Sequence, residues 1–222
     1  RLIKLGEEPF RVHNVGAPQV DEMVEAKYSS KIDIETRLGL NLERGFMLAV
    51  MHPVTEEAAK AGEQAKIFVE ALNEFEMPKI VILPNNDAGS FSVRNAIVSH
   101  RNGDYHLFAN LKREDYLGLL KEARCIVGNS SSGLLEAPTF KTAAVNIGRR
   151  QDMRFRGSNV IDVDFDKEAI VEAIRKATSK EFEEALKTCE NPYGDGKSSQ
   201  RILDLLVSTE INDSLMTKTL TY

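Results

Sequence analysis

Short, wholly apolar runs alternate along this chain with stretches whose apolar residues recur every three to four positions, and few architectures accept that order. The run Phe46-Met-Leu-Ala-Val-Met51 contains no polar residue, as a strand covered on both faces requires. After it, Ala58, Ala61, Ala65, Phe68, Leu72 and Phe75 mark one face of a helix, with Thr55 expected to cap it and Glu56 and Glu57 in its first turn. Further strands are expected at Ile80–Leu83, Tyr105–Leu111, Cys125–Val127, Ala143–Ile147 and Val160–Val163, preceded by a short one at Arg11–Gly16. Helices are expected at Ser92–His100, at Arg113–Ala123, from Ser131 to a limit at Pro138, at Lys167–Ala177 and at Lys197–Val207. The tail after Thr209 reads as polar and loose. Such alternation with short connections predicts an α/β fold with a doubly wound, mostly parallel sheet.

A chain of 222 residues can bury a sizeable core, and 42% hydrophobic with 28% charged residues excludes disordered and low-complexity classes. The net charge of −5 comes without a basic block, so no nucleic-acid partner is expected. The longest apolar runs fall far short of the roughly 20 residues that span a bilayer, so no membrane partner is expected either. Two cysteines, Cys125 and Cys189, make no disulfide framework, and no signal peptide is recognised at the start. A reducing, cytoplasmic setting is the expectation. No H-x-x-x-H or C-x-x-C spacing occurs, so no metal and no cofactor are expected.

In a doubly wound sheet, ligands bind at the carboxyl ends of the strands, so chemistry is sought in the loops that follow them. Gly128-Asn-Ser-Ser-Ser-Gly133 leaves an apolar strand and opens a helix. Its small residues, hydroxyls and free N–H groups suit a phosphate, although a serine cap and a tight turn account for it equally. Glu136, a turn later, can accept two hydrogen bonds from a ribose or simply favour the helix start. His52 directly follows the run Phe46–Met51, where an imidazole serves as acid, base or phosphate ligand, or caps a turn. His13, His100 and His106 read as structural or surface residues. Arg149, Arg150, Arg154 and Arg156 concentrate positive charge in one loop, suited to a diphosphate or to pairing with Asp152. Asn85-Asn-Asp-Ala-Gly89 can bond a sugar or base, or be a turn.

Taken together, Gly128-Asn-Ser-Ser-Ser-Gly-Leu-Leu-Glu-Ala-Pro138, Val145-Asn-Ile-Gly148, Arg150-Gln151 and Arg156-Gly-Ser-Asn-Val160 resemble the hydrolysing UDP-N-acetylglucosamine 2-epimerases. His52-Pro-Val-Thr55, Leu83-Pro-Asn-Asn-Asp-Ala-Gly89, Asn191-Pro-Tyr-Gly-Asp-Gly196 and Asn14-Val-Gly-Ala-Pro-Gln-Val-Asp21 fit the same family, in the same order. The resemblance implies a GT-B-type enzyme of two Rossmann-like domains, of which this chain matches the C-terminal, nucleotide-binding one. It implies that residues 1–25 are an interdomain segment with a first strand and residues 26–190 the nucleotide-binding domain. Residues 191–222 would hold a helix returning to a missing N-terminal domain, plus the tail.

Carried over residue by residue, the resemblance puts Ser130 and Ser131 on the diphosphate and Glu136 on the uridine ribose. It puts Arg150 at the nucleotide or phosphate, and Asn85 and the backbone near Leu111 in the uridine pocket. His52 would be the catalytic residue on this side, reaching the phosphate or the reacting sugar. The implied substrate is a UDP-sugar, most of the acid/base groups belonging to the missing half. The Asn-Ser-Ser form of the loop points to the hydrolysing branch, in which loss of UDP and of the C2 proton is followed by addition of water. A GT-B glycosyltransferase and an epimerase of a diacetamido-trideoxy sugar remain alternatives, as does a stand-alone nucleotide-sugar sensor. The apolar residues Ile202, Leu205, Leu206 and Ile211 are expected to lack a cover in this chain, which predicts a homo-oligomer.

Overall fold

The run Phe46–Met51 has no face to turn to water, and it lies at the centre of a six-stranded sheet. The computed structural model describes residues 1–25 and 27–221. Its strands are β1 (Met47–Val50), β2 (Lys79–Ile82), β3 (Tyr105–Phe108), β4 (Cys125–Gly128), β5 (Ala143–Ile147) and β6 (Val160–Val163). Its helices are α1 (Pro18–Glu25), α2 (Lys31–Leu38), α3 (Ala61–Leu72), α4 (Ser90–His100), α5 (Arg113–Glu122), α6 (Ser132–Leu135), α7 (Lys167–Ala177), α8 (Lys180–Leu186), α9 (Ser198–Ser208) and α10 (Asp213–Met216).

The strand order is β3-β2-β1-β4-β5-β6 and every pairing is parallel, the order of a dinucleotide-type doubly wound sheet. The order reverses between β1 and β4, whose register sets Val50 beside Gly128. Side-chain alternation along β1 builds the two cores. Met47, Ala49 and Met51 join α3, α4, α7 and α8 on one face. Phe46, Leu48 and Val50 join α2 and α5 on the other. Cys125 and Cys189 are buried free thiols, and burial pushes the Cys125 thiol up to about 12. No helix among the described residues is long and apolar enough to cross a membrane.

The chain divides into two compact units. The sheet and its helices form one, Ala26–Pro192. The other joins Arg1–Glu25 to Tyr193–Tyr222. Within this smaller unit two of the motifs quoted above meet. Ala17 donates its N–H to the Tyr193 carbonyl at 2.7 Å, and Asp21 accepts the N–H groups of Ser198 and Ser199 at 2.9 and 2.5 Å, standing in for a cap on α9. A Cβ on Gly16 would lie 2.6 Å from Ser198 Oγ, so only glycine fits there. Leu206, Val207 and Ile211 are exposed, while Ile202 and Leu205 line an apolar groove of about 830 Å³ with Phe10, Val15 and Leu215.

Several expectations are corrected. Arg11–Gly16 is not a strand: Pro9–Arg11 is a 3-10 turn and Gly16 has φ near +90, which no extended residue adopts. The tail after Thr209 is not loose. Asn212 caps α10, Arg11 donates to the carbonyls of Ser214, Leu215 and Thr217, and Thr221 donates to Gly6. Thr55 does not cap a helix; it is the first residue of a 3-10 turn that runs to Lys60, and α3 starts only at Ala61. Helices α1, α2 and α8 escape the apolar pattern because each is short and half exposed. Their starts are nevertheless signed, by Pro18 in the first turn and by Ser30 and Ser179, whose hydroxyls accept from Asp33 and Phe182 N–H.

Candidate functional site

The site grows from the switch point between β1 and β4. Gly128 ends β4 with φ near +134, and a Cβ there would lie 2.0 Å from the Val50 carbonyl oxygen. Only glycine lets the two strand ends close in this way. The next residue, Asn129, is buried and seizes the backbone of His52 twice. Its Oδ1 accepts the His52 N–H at 2.8 Å and its Nδ2 donates to the His52 carbonyl at 2.7 Å. The Asn129 carbonyl accepts in turn from Gln151 Nε2 at 2.8 Å and from Arg150 Nη1 at 3.2 Å. One side chain and one carbonyl thus join the loops after β1, β4 and β5.

His52 is set for one tautomer. Its Nδ1 lies 3.4 Å from the Asn85 backbone nitrogen and accepts that N–H. Burial, and then the charge of Arg150, lowers its pKa below the ordinary histidine value. A neutral ring whose Nδ1 accepts carries its proton on Nε2, so the group offered is an Nε2–H donor.

Beyond Asn129 the serines turn into α6, which is a single helical turn of four residues. So short a helix has little macrodipole, and what the turn offers is local N–H groups and hydroxyls. Ser131 occupies the N-cap position without a side-chain cap bond; Ser130 Oγ accepts the Ser132 N–H at 3.3 Å. The hydroxyl of Ser132 donates to Glu136 Oε2, and that same Ser132 oxygen accepts from the Tyr116 hydroxyl at 2.6 Å. Glu136 Oε1 pairs with Arg113 Nη1 at 2.7 Å.

These groups surround a pocket of about 390 Å³ at the carboxyl ends of the strands. Val50, Ile82, Leu111 and Leu135 are its apolar wall; His52, Ser130, Ser131 and Glu136 stand in its polar one, together with Asn110, Arg113, Tyr116 and Ser132. Five of the seven residues singled out in the sequence therefore line a single cavity. The other two stand behind it. Asn85 holds the His52 ring through its backbone while its side chain donates to Asp87 at 2.6 Å. Arg150 lies on the Asn129 carbonyl, beside His52. Leu111 gives its N–H to the Asn110 side chain at 2.9 Å.

The arginine loop is less open than its composition indicates. Arg149 pairs with Glu57, and Arg156 pairs with Asp162 at 2.9 Å. Arg113 and Tyr116 lie outside every motif quoted from the sequence, and Asn129, Gln151 and Ser132 lie inside quoted motifs without a ligand role of their own. The spacing of Arg113 and Tyr116, three apart at the start of a helix, was the available signal for two of them.

The family model described as UDP-N-acetylglucosamine 2-epimerase matches residues 1–207. A UDP-N,N'-diacetylbacillosamine 2-epimerase (hydrolyzing) of Legionella pneumophila is 33% identical over 219 residues, which is 98% of this chain and 57% of that protein. The polysialic acid biosynthesis protein P7 of Escherichia coli is 33% identical over 196 residues, 87% of this chain and 50% of that protein. The chain thus spans about half the length of these relatives. Among solved structures, the UDP-GlcNAc 2-epimerase of Neisseria meningitidis bound to UDP-GlcNAc superposes with a TM-score of 0.72, covering 88% of this chain and 55% of that one. Its 17% identity speaks for the fold alone, the Rossmann-like sheet of a GT-B-type enzyme. With the family model and the relatives both running through nearly the whole sequence, the chain belongs to the UDP-N-acetylglucosamine 2-epimerase family.

Proposed function

We propose that this chain is the nucleotide-binding half of a hydrolysing UDP-N-acetylglucosamine 2-epimerase, which converts UDP-N-acetylglucosamine and water to N-acetylmannosamine and UDP. The observation that carries the reading is the convergence of Glu136, the Ser130–Ser131 turn and the Nε2–H of His52 on one cavity at the strand ends. Glu136 accepts the ribose hydroxyls. Ser130 and Ser131 donate to the diphosphate, and Arg150 supplies positive charge behind them. His52, held neutral, donates from Nε2 toward the leaving phosphate oxygen. In the first step the C1–O bond breaks, UDP leaves with the electron pair, and the C2 proton passes to a base, giving a glycal. Water then adds across the double bond, its hydroxyl to C1 and a proton to C2 from the opposite face. The base and acid of those steps belong to a second domain, which supplies the other side of the substrate. The setting proposed is cytoplasmic and the pathway one of sialic-acid-type sugars, in keeping with the name of the Escherichia coli relative.

The test is a calorimetric titration with UDP, with ADP as control and Glu136→Gln as a second sample. Selective UDP binding that weakens about tenfold in the variant is the expected result. A folded chain that binds no UDP, or binds ADP equally, counts against the reading. The product assay after adding the second domain asks for free N-acetylmannosamine; glycosidic transfer to an acceptor would instead mark a glycosyltransferase. A second substrate has a specific observation behind it. The Legionella relative, which covers 98% of this chain, is named for a diacetamido sugar. Release of the diacetamido-trideoxy product in preference to N-acetylmannosamine would favour it. The exposed Leu206, Val207 and Ile211 lead us to propose self-association as well, and a clean monomer by light scattering at high concentration would refute it.

A further inference from the structure

Glu136 is tied down on both oxygens, by Arg113 and by Ser132, in the wall of the same cavity. Tyr116 and Arg113 share a face of α5, three residues apart, and Ser132 and Glu136 share a face four residues apart. The two faces meet. The Tyr116 hydroxyl donates to Ser132 Oγ at 2.6 Å, the Ser132 hydroxyl donates to Glu136 Oε2, and Arg113 donates to Glu136 Oε1 at 2.7 Å. Direction matters in this chain. A serine hydroxyl has one proton, and the proton arriving from Tyr116 leaves Ser132 free to send its own only toward the carboxylate. The Glu136 side chain is 16% exposed, so it faces the cavity while its rotamers are limited.

Each carboxylate oxygen has two acceptor positions, and the protein fills one on each. One acceptor position remains on each of the two oxygens. That is the complement of a vicinal diol. We infer that Tyr116, acting through Ser132, is a positioning residue that fixes the Glu136 carboxylate for the two hydroxyls of a ribose, with Arg113 as the opposing anchor, and so makes this pocket select ribonucleotides. The inference rests on the reading of the cavity as a nucleotide site. Preorganisation of this kind spares the ligand the entropy of ordering the carboxylate on binding.

The measurement is the ratio of dissociation constants for 2′,3′-dideoxy-UDP and UDP, in the wild-type chain, Glu136→Gln, Tyr116→Phe and Ser132→Ala. The wild type is expected to prefer UDP by about tenfold or more, and Glu136→Gln to lose that preference. Tyr116→Phe and Ser132→Ala are expected to cut the ratio by about three- to tenfold, through weaker UDP binding at nearly constant dideoxy-UDP binding. A merely structural Tyr116 would weaken both ligands alike and leave the ratio at its wild-type value, which overturns the inference. If circular dichroism shows that Tyr116→Phe does not fold, Ser132→Ala decides, since it cuts the same link from the other side. A wild-type ratio near one would overturn the ribose role of Glu136 itself, and this inference with it. A ratio kept in both variants but lost in Glu136→Gln would overturn this inference alone.

Discussion

The two corners of the pocket are built by different means. At the His52 corner the backbone is the fastener: Gly128 allows two strand ends to close, and Asn129 grips the His52 main chain from both sides. At the Glu136 corner the fastener is a series of side chains reaching from α5 to α6, Tyr116 to Ser132 to Glu136, closed by Arg113. The first corner is part of the sheet's own closure, so damage to it is paid in folding. The second is a set of side-chain bonds at the pocket wall, outside the pairing of the strands, so damage to it should appear in recognition. Substitutions at the two corners can separate these cases.

The largest effect is expected from Gly128→Ala. A methyl 2.0 Å from the Val50 oxygen, at φ near +134, forces the strand ends apart. A loss of roughly 3 kcal/mol or more, or failure to fold, should be read in the denaturant midpoint. A stable Gly128→Ala protein would dissolve the contrast at once. Asn129→Ala comes next. It strips partners from the N–H and carbonyl of His52 together, and about 2–3 kcal/mol of destabilisation is expected in the same experiment. Glu136→Gln should change the midpoint by less than about 1 kcal/mol while lowering UDP affinity, because the amide oxygen can keep the Ser132 hydroxyl and the half-exposed Arg113, which loses its acceptor, can turn to water. A midpoint shift as large as that of Asn129→Ala would show that both corners are folding elements.

The smallest effect is in pH dependence. The native pKa of His52 is lowered, first by burial and then by Arg150, while the unfolded chain keeps the ordinary value near 6.5. As pH falls through that value, the unfolded state gains a proton that the native state refuses. Stability is therefore full above it and declines until the native pKa is reached. His52→Gln should flatten this part of a thermal-stability profile measured from pH 8 to pH 5. An unchanged slope would mean that His52 titrates like a free imidazole and does not sit in the dry, positively charged corner described here.

Much of the fold is legible in the chain. Phe46–Met51, Cys125–Val127 and Lys167–Ala177 betray themselves because burial on two faces removes polar residues from a strand and burial on one face stamps a helical period. Arg11–Gly16 misleads because Val12 and Val15 are β-branched and favour strands, while nothing in six residues states whether an edge exists to receive them. Helix α2 hides because Ile34 is its one fully buried residue, and a single apolar position has no period. The site divides in the same way. Ser130, Ser131 and Glu136 announce themselves in a small-residue turn after a strand, but the work of Asn129 does not, since its partner His52 lies on another strand.

By itself, then, the order of apolar runs and turns determined a parallel α/β sheet, and the motifs at its strand ends determined the family. Tertiary structure alone decided which polar groups face each other: that Asn129 holds His52, that Tyr116 reaches Glu136 through Ser132, and that Arg149 and Arg156 are taken by Glu57 and Asp162. The physical reason is range. Apolar patterning is a local record of which face of an element is buried, whereas a hydrogen bond depends on ångström-scale distance and angle between atoms far apart along the chain.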